Sequence, residues 1–204
     1  MAMEVARIDA AGWAVATVMA GATLAGCGGG NNASPTDSSS AARSMSSSVS
    51  SPSPGQPMDY SALLIKPADI GGDLTAPQPP VLNPNNAPGV AQLFASADHS
   101  RRIGDSILIV ADPATAAAGI DRTRANYGGT VNGTWQPIDV GSNGTIISGT
   151  SPDTAQSVTV LLFSEGRALV NLEFHSAPGD PINPAAAVDI GRKQDAAIKK
   201  ALPG

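Results

Sequence analysis

Ser157-Val158-Thr159-Val160-Leu161-Leu162-Phe163, followed after Ser164-Glu165-Gly166-Arg167 by Ala168-Leu169-Val170-Asn171-Leu172-Glu173-Phe174-His175, is the stretch whose reading decides the fold. Two apolar runs separated by a short glycine-containing turn predict a β-hairpin. In its second strand Ala168, Val170, Leu172 and Phe174 point one way, and Leu169, Asn171, Glu173 and His175 the other. One face is therefore expected to be core and the other mostly solvent.

Upstream, residues 103–111 carry a strong β signal, with Ile103, Asp105, Ile107 and Ile109 on one side and Leu108 and Val110 on the other. Residues 90–97 predict a neighbouring strand, and Asp98-His99-Ser100-Arg101-Arg102 a polar turn between the two. Asp112-Pro113 reads as an N-cap and a first-turn proline, opening a helix over 114–127 that Gly128 ends. Ala117, Ile120, Arg124 and Tyr127 share one face of it, a modest stripe held by small residues packing close. Asn132-Gly133 and Asn143-Gly144 carry type I′ turn chemistry, and the second is expected to join 135–140 to 145–149 in a hairpin.

Asn183-Pro184 repeats the cap-and-proline signal and opens a final helix over 185–202. Ala187, Ile190, Gly191, Gln194, Ala197, Ile198 and Ala201 fall on its apolar side, with Arg192, Lys193, Lys199 and Lys200 opposite as a solvated face. Before the first strand, 60–65 is apolar, 66–71 reads as a short helical turn, and 76–89 is a Pro/Asn loop of a length often associated with function. The expected fold is a single α+β domain: a twisted, mostly antiparallel sheet of five to six strands with two helices packed on one face.

The chain has 204 residues and a formal charge of −5, which leaves room for one domain of ordinary size at 59–204. Residues 27–58 collapse to Gly, Asn, Ser, Pro and Thr and cannot bury enough apolar area to offset ordering entropy. They read as a flexible tether, about 30 Å end to end for a random coil of that length. Residues 1–26 read as an export leader with a weak charged start, Arg7 against Glu4 and Asp9, and an apolar run over 10–24 too short to span a membrane with confidence. Counted from Cys27, eleven Lys or Arg face fifteen Asp or Glu, and that negative balance argues against nucleic-acid binding. A single cysteine excludes an intrachain disulfide and a multi-cysteine metal site.

That cysteine closes Leu24-Ala25-Gly26-Cys27, which resembles a bacterial lipobox. The resemblance implies a diacylglycerol thioether on Cys27, cleavage after Gly26, and a protein held on the extracytoplasmic face of the cell membrane by two or three acyl chains, more than the marginal hold of one. The other reading of Cys27 is a plain thiol in an apolar segment. Leu63-Leu64-Ile65-Lys66-Pro67-Ala68-Asp69, the strand and helix over 107–127, the hairpin over 162–174 and the helix over 194–202 together resemble mycobacterial lipoproteins of the LpqN kind and the sensor domains of PknH-type kinases. The kinase sensors contain paired cysteines that this domain lacks, so none of their ligand residues is carried over.

Chemistry is sparse. Asp98-His99-Ser100 has triad residue types, but neighbours in sequence cannot point at one another in triad geometry. Glu173 and His175 on one strand face offer two metal ligands at most. Nucleophile-elbow, phosphate-loop, dinucleotide and zinc-protease motifs are all missing, so no enzyme, cofactor or metal is expected. Two functions are left: a non-catalytic interaction or sensing module displaying one sheet face and the loop 76–89 to envelope partners, or a carrier holding an apolar lipid between sheet and helices. Ala114, Ala116, Ala117, Ala118, Ala186, Ala187 and Gly191 serve either, by close packing or by leaving room.

Overall fold

The computed structural model describes residues 58–202. The leader, the tether and Cys27 lie outside the described residues. Seven strands form one sheet in the order β1-β2-β3-β7-β6-β5-β4, every neighbouring pair antiparallel. They are β1 (Val81–Leu82), β2 (Gly89–Ala95), β3 (Arg102–Ile109), β4 (Gln136–Pro137), β5 (Ser142–Thr150), β6 (Ser157–Glu165) and β7 (Ala168–Ser176). Three α-helices accompany them, α1 (Pro67–Ile70), α2 (Pro113–Asn126) and α3 (Pro184–Ala201). The α+β class and the antiparallel sheet agree with expectation. The strand count is higher because β1 and β4 are two-residue pieces, too short to show a period.

The β6–β7 hairpin lies inside the sheet. Glu165 pairs with Ala168, leaving a two-residue turn in which Gly166 takes a φ of 52°, the left-handed region that glycine enters without a Cβ penalty. β6 is buried on both sides from Ser157 to Ser164. Leu161 and Phe163 enter a core with Ile190 and Ile198 of α3, whereas Val158, Val160 and Leu162 enter a second core with Ile120 of α2. The two helices therefore occupy opposite faces, not one as expected. The physical reason is β6 itself: apolar on consecutive residues, it needs a cover on each side.

Both helices approach closely. A Cβ placed on Gly119 of α2 would meet Leu169 Cδ2 at 3.1 Å, and one on Gly191 of α3 would meet Leu161 Cδ1 at 3.0 Å. Ala116 and Ala187 are fully buried beside them, while Ala114, Ala118 and Ala186 face solvent. The small residues that touch the sheet are spent on packing. The buried face of α2 is Ala116, Gly119 and Ile120, rotated from the expected stripe, of which only Ile120 is fully buried. The caps agree with the sequence: Thr115 N–H donates to Asp112 Oδ1 at 2.7 Å and Ala185 N–H to Asn183 Oδ1 at 2.9 Å.

Neither Asn-Gly pair makes the expected type I′ turn. Asn132 and Gly133 have no positive φ; the pair lies along β5, where a Cβ on Gly149 would come within 1.9 Å of Asn132 O. Asn143, at φ 57°, sits in an irregularity of β5 between Ser142 and Thr145, and the β4–β5 turn falls earlier, over 138–141, with Gly141 at φ 52°. Close backbone approach, not hairpin closure, is what these glycines permit.

The segment ahead of the sheet packs on the α3 side through Tyr60, Leu63 and Ile65. Gln194, completely buried in α3, fastens it: Ile65 N–H donates to Gln194 Oε1 at 3.1 Å and Gln194 Nε2 donates to Leu63 O at 2.7 Å. Opposite, Lys199 reaches the buried Asp195, while Arg192 with Asp139 and Lys193 with Asp189 form exposed ion pairs. Such pairs are worth little in stability and mark a solvated face. Among the described residues no helix is long and apolar enough to cross a membrane.

Candidate functional site

α2 packs on β5, β6 and β7, which leaves the same side of β2 and β3 without a helix. Register and alternation place Ala91 and Leu93 of β2 and Gly104, Ser106 and Leu108 of β3 on that side, because Val90, Phe94, Ile103 and Ile107 are in the α3 core. Ala91, Leu93, Ser106 and Leu108 are half-buried there. One half of one sheet face is thus open, floored by small and apolar side chains.

A polar ridge borders it where α2 ends. Leu93, Gly104 and Glu173 lie in one row across β2, β3 and β7, and Ala91, Ser106 and Asn171 in the next. Tyr127, capping α2, donates its hydroxyl to Glu173 Oε1 and accepts Asn171 Nδ2 at 2.6 Å. Asn171 Nδ2 also reaches Glu173 Oε1 at 3.2 Å, and His175 Nε2 lies 3.3 Å from Glu173 Oε2. Burial works to raise the Glu173 carboxyl, but the donors His175, Tyr127 and Asn171 outweigh it and hold the group below its ordinary value. Burial, then the adjacent Glu173 charge, pushes the Tyr127 hydroxyl well above its ordinary value, so it remains a donor.

The network therefore joins the end of α2 to the sheet around an ionised carboxylate. Glu173→Gln is expected to destabilise the domain by about 2 kcal/mol at neutral pH, since hydrogen bonds to a charged group are lost. The folded carboxyl titrates below the unfolded one, so its contribution is present above the unfolded value and fades as pH falls through the folded one. Urea melts of both proteins across the acid range should converge at low pH. A constant difference would show that the charge is not what matters.

Tyr127 and Trp135 meet edge to face with centroids 6.1 Å apart, and Arg124 lies 5.6 Å over the Trp135 ring. Here a cleft of about 260 Å³ opens between α2 and the paired strands β4 and β5, lined by Ala117, Ile120, Arg124, Trp135 and Asn143 among others. Its size is below that of the pockets that enclose drug-sized ligands, roughly 300–1,000 Å³.

The other residues singled out from sequence fall apart. Asp98 Oδ1 accepts Ser96 Oγ at 2.6 Å and Ser100 Oγ at 2.8 Å, and its carboxyl is held down to about 2, first by Ser96. His99 is exposed at φ 57°, so the triad types form only the β2–β3 turn. Glu173 and His175 do meet, yet protein donors already occupy the carboxylate. Among the described residues no group of three or more His, Cys, Asp or Glu is placed to hold a metal. Cys27 lies outside the described residues. Alternation alone brings Asn171, Glu173 and His175 onto one face; only the packing of α2 adds Tyr127, which no local pattern connects to them.

No family model matches the chain, and no curated protein matches it. Among solved structures it is similar to the extracellular domain of PknH from Mycobacterium tuberculosis, with a TM-score of 0.47 and 12% identity, covering 71% of this chain and 98% of that one.

Proposed function

We propose that the chain is a cell-envelope lipoprotein, anchored through lipidated Cys27 on the extracytoplasmic face of the membrane, whose folded domain is a non-catalytic interaction or sensing module. The observation that carries the module is the open half-sheet: Ala91, Leu93, Ser106 and Leu108 are half-buried with no helix over them, where the other half is covered by α2. A carrier is less well supported, because Gly119 and Gly191 bring both helices against the sheet and the Trp135 cleft is small. The anchor is supported by Leu24-Ala25-Gly26-Cys27 and the polar tether that follows.

The module is tested in intact cells with a photo-crosslinking residue at Ser106, and with one at Lys200 on α3 as control. Adducts are expected from Ser106 and not from Lys200; equal yields would remove the open face from consideration. The anchor is tested separately by detergent partitioning of wild type and Cys27→Ser. Wild type is expected in the detergent phase and the variant in the aqueous phase, and equal recovery would sink the anchor.

A further inference from the structure

Asp105 is 1% exposed on the α3 side of β3, and neither of its carboxyl oxygens meets a donor. A buried polar group left so is uncommon in a folded domain and calls for an account. Its neighbour across the β2–β3 ladder is Gln92, also buried, on the face that Val90 and Phe94 share. Opposed side chains on one sheet face start about 5 Å apart at Cβ, so the Gln92 amide reaches the carboxyl by a change of rotamer. It is turned the other way: Nε2 donates to Gln78 O and to Leu93 O, each at 2.9 Å.

What Gln92 holds is a bulge at the edge of the sheet. Thr75 and Ala95 exchange backbone hydrogen bonds at 2.9 Å on one side of it, and Val81 pairs with Ala91 on the other. Between these anchors every residue of 76–80 is exposed. Among the described residues, the hydrogen bond from Gln92 Nε2 to Gln78 O is the one that ties 76–80 to β2.

We infer that Asp105, Gln92 and Gln78 form a proton-operated latch on the β2 edge: with Asp105 neutral the Gln92 amide is turned outward and holds 76–80 to β2, and with Asp105 ionised it turns inward to the carboxylate and releases that segment. On ionisation the Asp105 proton goes to solvent. A charge-assisted hydrogen bond then replaces neutral ones; such bonds are roughly twice as strong, and a buried carboxylate without any donor is the costlier state. The Gln78 carbonyl given up belongs to an exposed residue, where water takes the place of the amide.

The charged groups around Asp105 leave its titration to burial. β2 has no charged residue, and Arg102, Glu173 and His175 of β3 and β7 alternate onto the other face. Across the core, the Tyr60 hydroxyl is on Met58 Sδ at 3.3 Å and the buried Asp195 is held by Lys199. Asp59, Lys66, Asp69, Asp73 and Asp180, with the remaining charged residues of α3, are exposed. Burial alone pushes the Asp105 carboxyl up to about 8, so the latch opens in mildly alkaline solution.

The test is carbon-13 NMR of the full chain between about pH 6 and about pH 9, on either side of that midpoint. Order parameters at the Cα atoms of Pro77, Gln78 and Pro79 are expected to fall from about 0.85 to about 0.6, while those of β6 and β7 stay at about 0.85. The Gln92 side-chain carbonyl carbon should shift with the same midpoint as the Asp105 carboxyl carbon. Asp105→Asn should keep 77–79 ordered at both pH values, and Gln92→Leu should leave them mobile at both. An Asp105 carboxyl that does not titrate in this range, two different midpoints, or a segment that stays ordered as Asp105 ionises would overturn the latch. So would the same loss of order in Asp105→Asn, an ordered segment in Gln92→Leu, or a loss spread evenly over β6 and β7. Should a variant fail to fold, the wild-type midpoints and order parameters decide without it.

Discussion

Leu172→Asp is expected to abolish cooperative folding of the domain. Leu172 is completely buried in the α3-side core and pairs with Leu161 on one flank and Asp105 on the other. A new carboxylate there has no donor in reach and lies directly across the ladder from an existing buried acid. The cost of an unpaired buried charge exceeds about 4 kcal/mol, comparable with the whole stability of a small domain. Thermal or urea unfolding followed by circular dichroism should show no transition, whereas Leu93→Glu on the open half of the sheet should stay within about 1 kcal/mol of wild type. A wild-type melt for Leu172→Asp would contradict the placement of this core, and a collapse of Leu93→Glu would contradict the open face.

Asp105→Asn is expected to act in the opposite direction. Asp105 is 1% exposed and neither carboxyl oxygen has a partner. Gln92, across the ladder, donates its amide to the carbonyls of Gln78 and Leu93 instead. Burial alone pushes the Asp105 carboxyl up to about 8. At neutral pH the folded state therefore holds a proton that the unfolded chain releases, and stability is fully present below the unfolded value near 3.9 and falls as pH rises toward the folded one.

Asparagine keeps the shape of the neutral acid and removes that linkage. The variant should match wild type in acid and become more stable as pH rises, by on the order of 3 kcal/mol at neutral pH. Urea midpoints at acidic, neutral and mildly alkaline pH measure the divergence. Parallel curves would show that Asp105 is not carrying a proton in the fold.

Much of the architecture was legible in residues close together in the chain. Asp112-Pro113 and Asn183-Pro184 announce both long helices, since a cap and a first-turn proline act within one turn. The hairpin across Gly166-Arg167 and the alternation along β3 and β7 follow from the local pattern, including the place of Asp105 among isoleucines; the β7 face expected to be mostly solvent is instead covered by α2, with Leu169 in the second core. The two Asn-Gly pairs misled because their glycines answer to a neighbouring strand: Gly149 is needed where Asn132 O approaches, and only the folded sheet creates that approach.

The sequence by itself determined the five long strands and the two long helices with their caps, because hydrogen bonding and side-chain alternation are settled within a few residues. Tertiary structure alone decided which face each helix covers. The unbroken apolar run of β6 was the one local sign that both faces needed a cover. From that decision come the features a site depends on, Tyr127 brought onto Glu173 from 46 residues away, the half-sheet left open beyond it, and the edge on which Val81 and Leu82 are held in solvent. These rest on contacts between segments far apart in the chain, and such contacts exist only once the layers have packed.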